Sequence, residues 1–290
     1  KRRMCSLKYT SKEKKTKSIL SRNHTLNDLQ DVITSADILR TLIRKNSVRV
    51  VDVRKEDEYK KEHIKTAVSI PLAKVLDNDS PERIVQLLEQ TGISDKTPVV
   101  VYDDTFGALA ARVAWTFQYV GHSNTSLLET TFAKWKSYGF ETEKKVNVFP
   151  HAKHSLRVNN EIFANYNEVE KAKSEQNRIL IDSRERLNFL SEHIPGATNL
   201  PYTMLGTADS ILREPQEIKR FMENRGISTD DEVITYCGSV GTLSGLAYYA
   251  LRMGGVKKIR LYSRSFKEWK KLGKPIEEFK DANYWDLSAE

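Results

Sequence analysis

Short β-branched runs alternate along the chain with stretches whose apolar residues recur at helical spacing. The valine-rich run Val48–Val53 predicts a buried strand. A short polar helix follows over Glu56–His63, then a strand over Ala67–Leu72. Pro81–Thr91 has helical spacing, with Pro81 in the tolerated first turn. Pro98–Tyr102 predicts a central strand. Leu109, Val113, Phe117 and Val120 fall on one helical face. Ser126–Leu128 predicts a last strand and Thr131–Tyr138 a last helix. The second part of the chain repeats the series as Arg178–Asp182, Leu187–Glu192, Ala197–Pro201, Gln216–Arg225, Glu232–Tyr236, Leu243–Met253, Lys258–Tyr262 and Phe266–Leu272. Strands separated by helices predict an α/β fold of mostly parallel sheets with helices on both faces.

The repetition is literal. Asp52-Val53-Arg54 and Asp182-Ser183-Arg184 lie 130 residues apart, and His63/His193, Ala67/Ala197 and Pro71/Pro201 share that offset. Further on the offset is 134, for Tyr102/Tyr236, Leu109/Leu243, Gly121/Gly255 and Phe132-x-x-Trp135/Phe266-x-x-Trp269. One fixed offset, a four-residue insertion and a second fixed offset indicate a duplicated domain. The expected organisation is a tail over 1–23, a first domain over 24–140, a linker over 141–157 and a second domain over 158–285.

Length and composition agree with two globular domains: 290 residues, 39% hydrophobic and 30% charged. The apolar runs fall far short of the ~18 residues a membrane helix needs. The formal charge of +8 suggests an anionic partner until it is located. Residues 1–22 carry nine bases and one acid; removing them from the 47 bases and 39 acids leaves 38 of each. The body is neutral, so neither nucleic acid nor a membrane is expected as a partner. The tail reads as a solvated leader, and its basic, acid-poor character also fits a mitochondrial transit segment. A cytoplasmic or a mitochondrial location is therefore expected. Of the two cysteines, Cys5 lies in the tail, which favours a reducing compartment and singles out Cys237.

Val233-Ile234-Thr235-Tyr236 runs into Cys237-Gly238-Ser239-Val240-Gly241-Thr242 ahead of a helix. Parallel sheets place ligand sites at the carboxyl ends of strands. A small-residue loop before a helix turns backbone N–H groups inward and adds the helix dipole, which biases a cysteine there toward the nucleophilic thiolate. The loop holds no Lys or Arg, so backbone and hydroxyl donors, including Ser239 and Thr242, are expected to stabilise the anion. The offset of 134 puts Asp103 where Cys237 stands. A carboxylate can cap such a nest but cannot replace a thiolate, so the first domain is expected to be inactive.

Asp182-x-Arg184, Glu192-His193-Ile194-Pro195-Gly196-Ala197, the Cys237 loop, and Gly254-Gly255 followed by Ser265-Phe266-x-Glu268-Trp269 are ordered as in one family. Across about residues 30–285 the chain resembles the tandem rhodanese-domain sulfurtransferases. The resemblance implies that Cys237 takes sulfur from 3-mercaptopyruvate or thiosulfate as a persulfide and passes it to a thiol, such as thioredoxin or glutathione, or to cyanide. It implies no metal or organic cofactor. The opening Cys-Gly-Ser is similar to the 3-mercaptopyruvate type; thiosulfate-preferring members carry Arg and Lys beside the cysteine. Asn188 stands where that type carries a substrate arginine, which leaves Arg184 and Arg186 as the expected carboxylate clamp. The resemblance also implies that His63 and Asp52 of the first domain lie near the cysteine; Asp182, beside Arg184, is a further candidate supporting residue.

Bland readings stand beside these. Asp182–Arg184 recurs as Asp52–Arg54, and His193 as His63, so structural roles are expected for both sets. A cysteine phosphatase would need Arg at position 243, where Leu stands. A non-catalytic interaction or persulfide-relay module is the remaining alternative.

Overall fold

The structure, a computed structural model, describes residues 32–78, 80–172 and 177–279. The basic tail lies outside the described residues. The first half carries strands β1 (Ile33–Thr34), β2 (Arg49–Asp52), β3 (His63–Ile64), β4 (Val68–Ser69), β5 (Val99–Tyr102), β6 (Thr125–Leu128) and β7 (Thr142–Glu143). The second carries β8 (Arg178–Asp182), β9 (Thr198–Asn199), β10 (Glu232–Tyr236) and β11 (Lys258–Leu261). The main sheets run β1-β6-β5-β2-β4 and β11-β10-β8-β9, and every pair within them is parallel. Both fit the α/β class expected from the alternating pattern.

The duplication persists in the pairing. Ile33↔Leu127 in the first half recurs as the parallel bridge Phe163↔Leu261. The antiparallel pair His63↔Glu143 of β3 and β7 recurs as His193↔Glu277. Each partner is displaced by the sequence offset, 130 or 134. Valine and isoleucine dominate β2, β5, β8 and β10 because helices cover both faces of each sheet.

Strand and helix centres fall where the pattern puts them. Helix Ala36–Arg44, capped by the Ser35 hydroxyl on the Ile38 N–H at 3.3 Å, was not expected, nor was helix Leu72–Asp77. The expected strands Ala67–Leu72 and Ala197–Pro201 shorten to two paired residues each.

The helix with Leu109, Val113, Phe117 and Val120 on one face is buried nearly all round, as is its counterpart. Helices Ala108–Tyr119 and Thr242–Met253 each cover their own sheet on one side and pack on each other on the opposite side. The contact centres on Ala111 and Gly245, which are repeat equivalents. A Cβ on Gly245 would stand 3.3 Å from the Arg112 nitrogen and 3.4 Å from the Ala111 carbonyl carbon, so glycine permits the close approach. One core cluster, including Val113, Phe117, Leu246 and Leu251, spans both halves.

Residues 141–157 do not hang free between the halves. β7 pairs with β3, the Ala152 N–H donates to Glu89 O at 3.0 Å, and Ser155 bonds Asp95. His154 Nε2 meets His122 Nδ1 at 3.1 Å, both rings buried. The segment is a strap laid along the first half.

Candidate active site

Cys237 follows β10 at its carboxyl end and is 2% exposed, whereas Gly238, Ser239 and Val240 face solvent. Helix Ser265–Lys271 anchors the base of the loop: the Phe266 N–H donates to Cys237 O at 3.0 Å and the Lys267 N–H to Gly238 O at 2.9 Å. These bonds turn the carbonyls outward. Gly241 closes the loop at φ +79°, where a Cβ would lie 3.1 Å from Ser263 Cα, so glycine is required on two counts. Helix Thr242–Met253 starts immediately after it. Ser265 stands beside the sulfur: its Oγ accepts the Cys237 N–H at 3.1 Å, donates its own proton to the Tyr262 carbonyl at 2.9 Å, and lies 3.7 Å from Sγ. It does so from a left-handed backbone, φ +58°, which is costly for a non-glycine.

The first half shows what this loop geometry holds. The Asp103 carboxylate is fully buried and accepts N–H bonds from Thr105 at 2.7 Å, Gly107 at 2.9 Å and Ala110 at 2.9 Å. Burial raises its pKa, and the bonds from Ala110, Gly107 and Thr105 oppose that rise without cancelling it. Gly107 has φ +85°, matching Gly241. The Asp103 peptide is anchored as Cys237 is, with the Phe132 N–H on Asp103 O at 3.0 Å. By the offset of 134, the N–H groups of Ser239, Gly241 and Ser244 correspond to the three Asp103 donors. Asp103 is thus a built-in anion in one nest, and the other nest carries a thiol in its place.

Asp182 and Arg184 form a forked pair, with Nε 3.0 Å from both carboxylate oxygens and Nη2 2.6 Å from Oδ2. Nη2 also donates to Glu192 O at 2.6 Å, and the guanidinium lies over Phe266. Burial opposes its charge, but the bonds and field of Asp182 more than offset that, and the Arg184 pKa lies above its ordinary value. Asp52 and Arg54 repeat this almost to the tenth of an ångström, down to the Glu62 carbonyl. Most of the Arg184 fork is therefore committed to the scaffold. Asp52 also accepts the Tyr102 hydroxyl at 2.5 Å, and His63 stacks on Tyr59 with Nδ1 on the Tyr59 carbonyl. His193 does the same with Phe189. Asp52 and His63 are packed inside the first half and line neither of the cavities that border the Cys237 loop.

One of those cavities, about 600 Å³, is lined by Arg184, Asn188, Gly238, Lys267 and Lys270. Asn188, rather than Arg186, lines it; Arg186 opens helix Arg186–Ser191. The other, about 640 Å³, lies between the halves and is lined by Ser239, Val240, Arg264 and Lys267 from one side and by Arg112 from the other. The loop itself is uncharged, as its sequence states, but cations from elsewhere surround it. Sequence reasoning missed Ser265, Lys267 and Arg112. Ser265 enters the sequence pattern only as part of the Ser265-Phe266-x-Glu268-Trp269 motif, with no role attached to it, Lys267 carries no local signal, and Arg112 sits on a helix of the half without the cysteine.

Both halves match the family described as "Rhodanese-like domain", over residues 35–138 and 165–272. The chain is 27% identical over 276 residues to "Sulfur carrier protein TtuD" of Thermus thermophilus, covering 85% of this chain and 96% of that protein. It is 25% identical over 240 residues to "Thiosulfate sulfurtransferase" of Rattus norvegicus, covering 75% of this chain and 80% of that one. Among solved structures, SseA from Escherichia coli, described as showing the "Rhodanese" fold of 3-mercaptopyruvate sulfotransferases, superposes with TM-score 0.73 at 26% identity. That likeness covers 81% of this chain and 98% of SseA. The duplicated α/β halves and the family match over each of them make this chain a member of the rhodanese family with two rhodanese-like domains.

Proposed function

We propose that the chain is a sulfurtransferase working through a persulfide on Cys237. The observation that carries this is Asp103: the same loop in the first half gathers three N–H groups on an anion, and in the second half the residue at that focus is a thiol. A thiolate there attacks the donor sulfur. With thiosulfate the S–S bond breaks and its electron pair leaves on sulfite. With 3-mercaptopyruvate the C–S bond breaks, the pair goes to C3, and the enolate takes a proton to give pyruvate. Either donor leaves Cys–S–S⁻, whose outer sulfur the N–H groups of Ser239, Gly241 and Ser244 stabilise. Attack by a thiolate or cyanide on the outer sulfur restores Cys237. Asp103 closes the first nest to this chemistry, so the first half acts as a non-transferring partner.

Incubation with each donor, followed by mass spectrometry of Cys237 and assay with a thiol or cyanide acceptor, tests the reading. One added sulfur on Cys237, absent in Cys237→Ser, is expected with at least one donor. No added sulfur and no turnover with either overturns it. The similarity to a protein named a sulfur carrier favours a second reading, in which the persulfide is handed to a protein partner and small acceptors turn over slowly.

A further inference from the structure

The two central helices exchange residues. Arg112 of helix Ala108–Tyr119 crosses to the loop of the other half, where its Nε donates to Val240 O at 2.7 Å. Its Cδ would be 3.3 Å from a Cβ on Gly241. The repeat equivalent of Arg112 is Leu246, which crosses the opposite way and lines a cavity of about 540 Å³ beside Phe106, the tip of the Asp103 loop. The position is thus reciprocal, and leucine satisfies its packing. Arginine stands only where the loop carries the cysteine.

That arginine is held in place. It is half-buried, its Nη1 bonds the Thr116 hydroxyl, and its guanidinium lies 5.2 Å from the Trp115 ring. Among the described residues no carboxylate is paired with it. Burial lowers its pKa to about 10, which leaves it a cation at neutral pH, and Cys237 is the titratable group near enough to favour that charged form. The remaining cations of the cavity, Arg264, Lys267 and Lys271, come from the second half and share it with Glu268. Arg264 is largely exposed and pairs with Glu268 at 3.7 Å, so solvent and salt screen it.

We propose that Arg112, from the half that lacks the cysteine, is the anion-selecting and positioning residue of the Cys237 site. It pins the Val240 carbonyl outward and presents a fixed positive charge to anionic donors entering between the halves. The inference rests on the sulfurtransferase reading for its donor, but its charge role can be measured without it. The rates of Cys237 alkylation by iodoacetate, an anion, and iodoacetamide, its neutral analogue, report the local field as a ratio. Arg112→Gln keeps a donor for Val240 without the charge, Arg112→Leu copies the other half, and Arg112→Lys keeps the charge. The iodoacetate-to-iodoacetamide ratio is expected to fall by roughly tenfold in Arg112→Gln and Arg112→Leu and to stay near wild type in Arg112→Lys. An unchanged ratio in folded Arg112→Gln overturns the proposal. If wild type forms no persulfide yet the ratio still falls, the transferase reading fails and the charge role stands.

Discussion

The Ser265 hydroxyl takes the Cys237 N–H at 3.1 Å from a backbone held at φ +58°. A left-handed non-glycine costs on the order of 1 kcal/mol or more, and such strain gathers where surrounding structure over-determines it. Here the Tyr262 carbonyl fixes the same hydroxyl at 2.9 Å. Ser265→Gly removes both strain and hydroxyl, whereas Ser265→Ala removes only the hydroxyl. Both are expected to slow persulfide formation. The glycine variant should be the more stable of the two by about 1 kcal/mol in urea unfolding. Equal stability of the two would mean that the backbone at 265 stores no strain.

A direct test of the nest equates the two loops. Cys237→Asp recreates the Asp103 arrangement, and the carboxylate gains N–H donors from Ser239, Gly241 and Ser244 in place of a weak thiol acceptor. The variant is expected to fold, to keep stability within about 1 kcal/mol of wild type, and to form no persulfide. Cys237→Leu, of larger volume and without an acceptor, should instead lose about 1–3 kcal/mol. A Cys237→Asp protein less stable than Cys237→Leu would show that the second loop is not built for an anion.

Much of this site was legible in the chain because duplication supplies its own control. Asp103 opposite Cys237 marks one loop as a cap and the other as a thiol site, and β8 and β10 keep the boundaries their composition predicts. The recurrence of Asp-x-Arg in both halves favoured a structural pair, and the fork of Arg184 onto Asp182 has that geometry. What escaped is non-local. Arg112 reads as one more charge on a helix until that helix is set against its counterpart at Gly245. The strap over 141–157 looks like a polar linker because its anchors, Glu89 and Asp95, lie far from it in sequence. The φ of Ser265 leaves no trace in composition.

The strap gives the fold an acid-sensitive joint. Burial, then the field of His154, lowers the His122 pKa from 6.5 to about 4, and burial lowers that of His154 as well. The folded state therefore binds fewer protons than the unfolded chain between these values. Stability is complete above pH 6.5 and is lost as pH falls toward 4. For His122 alone the loss approaches about 3 kcal/mol at the bottom of that window. His122→Phe removes one titrating ring and should flatten the decline in urea midpoint between about pH 7 and pH 5. If wild type and variant decline in parallel, the acid sensitivity lies in other groups.

Lys267 carries two functions that substitution can separate. Its backbone N–H anchors Gly238 O at 2.9 Å, while its side chain lines both cavities beside the Cys237 loop. Truncating the side chain leaves the anchor, so loop geometry and the intrinsic reactivity of Cys237 should persist. What is lost is a mobile surface charge, whose effect on an approaching anion is steering. Lys267→Ala is expected to raise KM for an anionic donor about three- to tenfold, with kcat changed less than twofold. The difference from wild type should shrink as salt rises, because the Debye length contracts from about 10 Å at 0.1 M to about 3 Å at 1 M. A fall in kcat that persists at high salt would instead place the Lys267 ammonium in the transfer step itself, beside the outer sulfur of the persulfide.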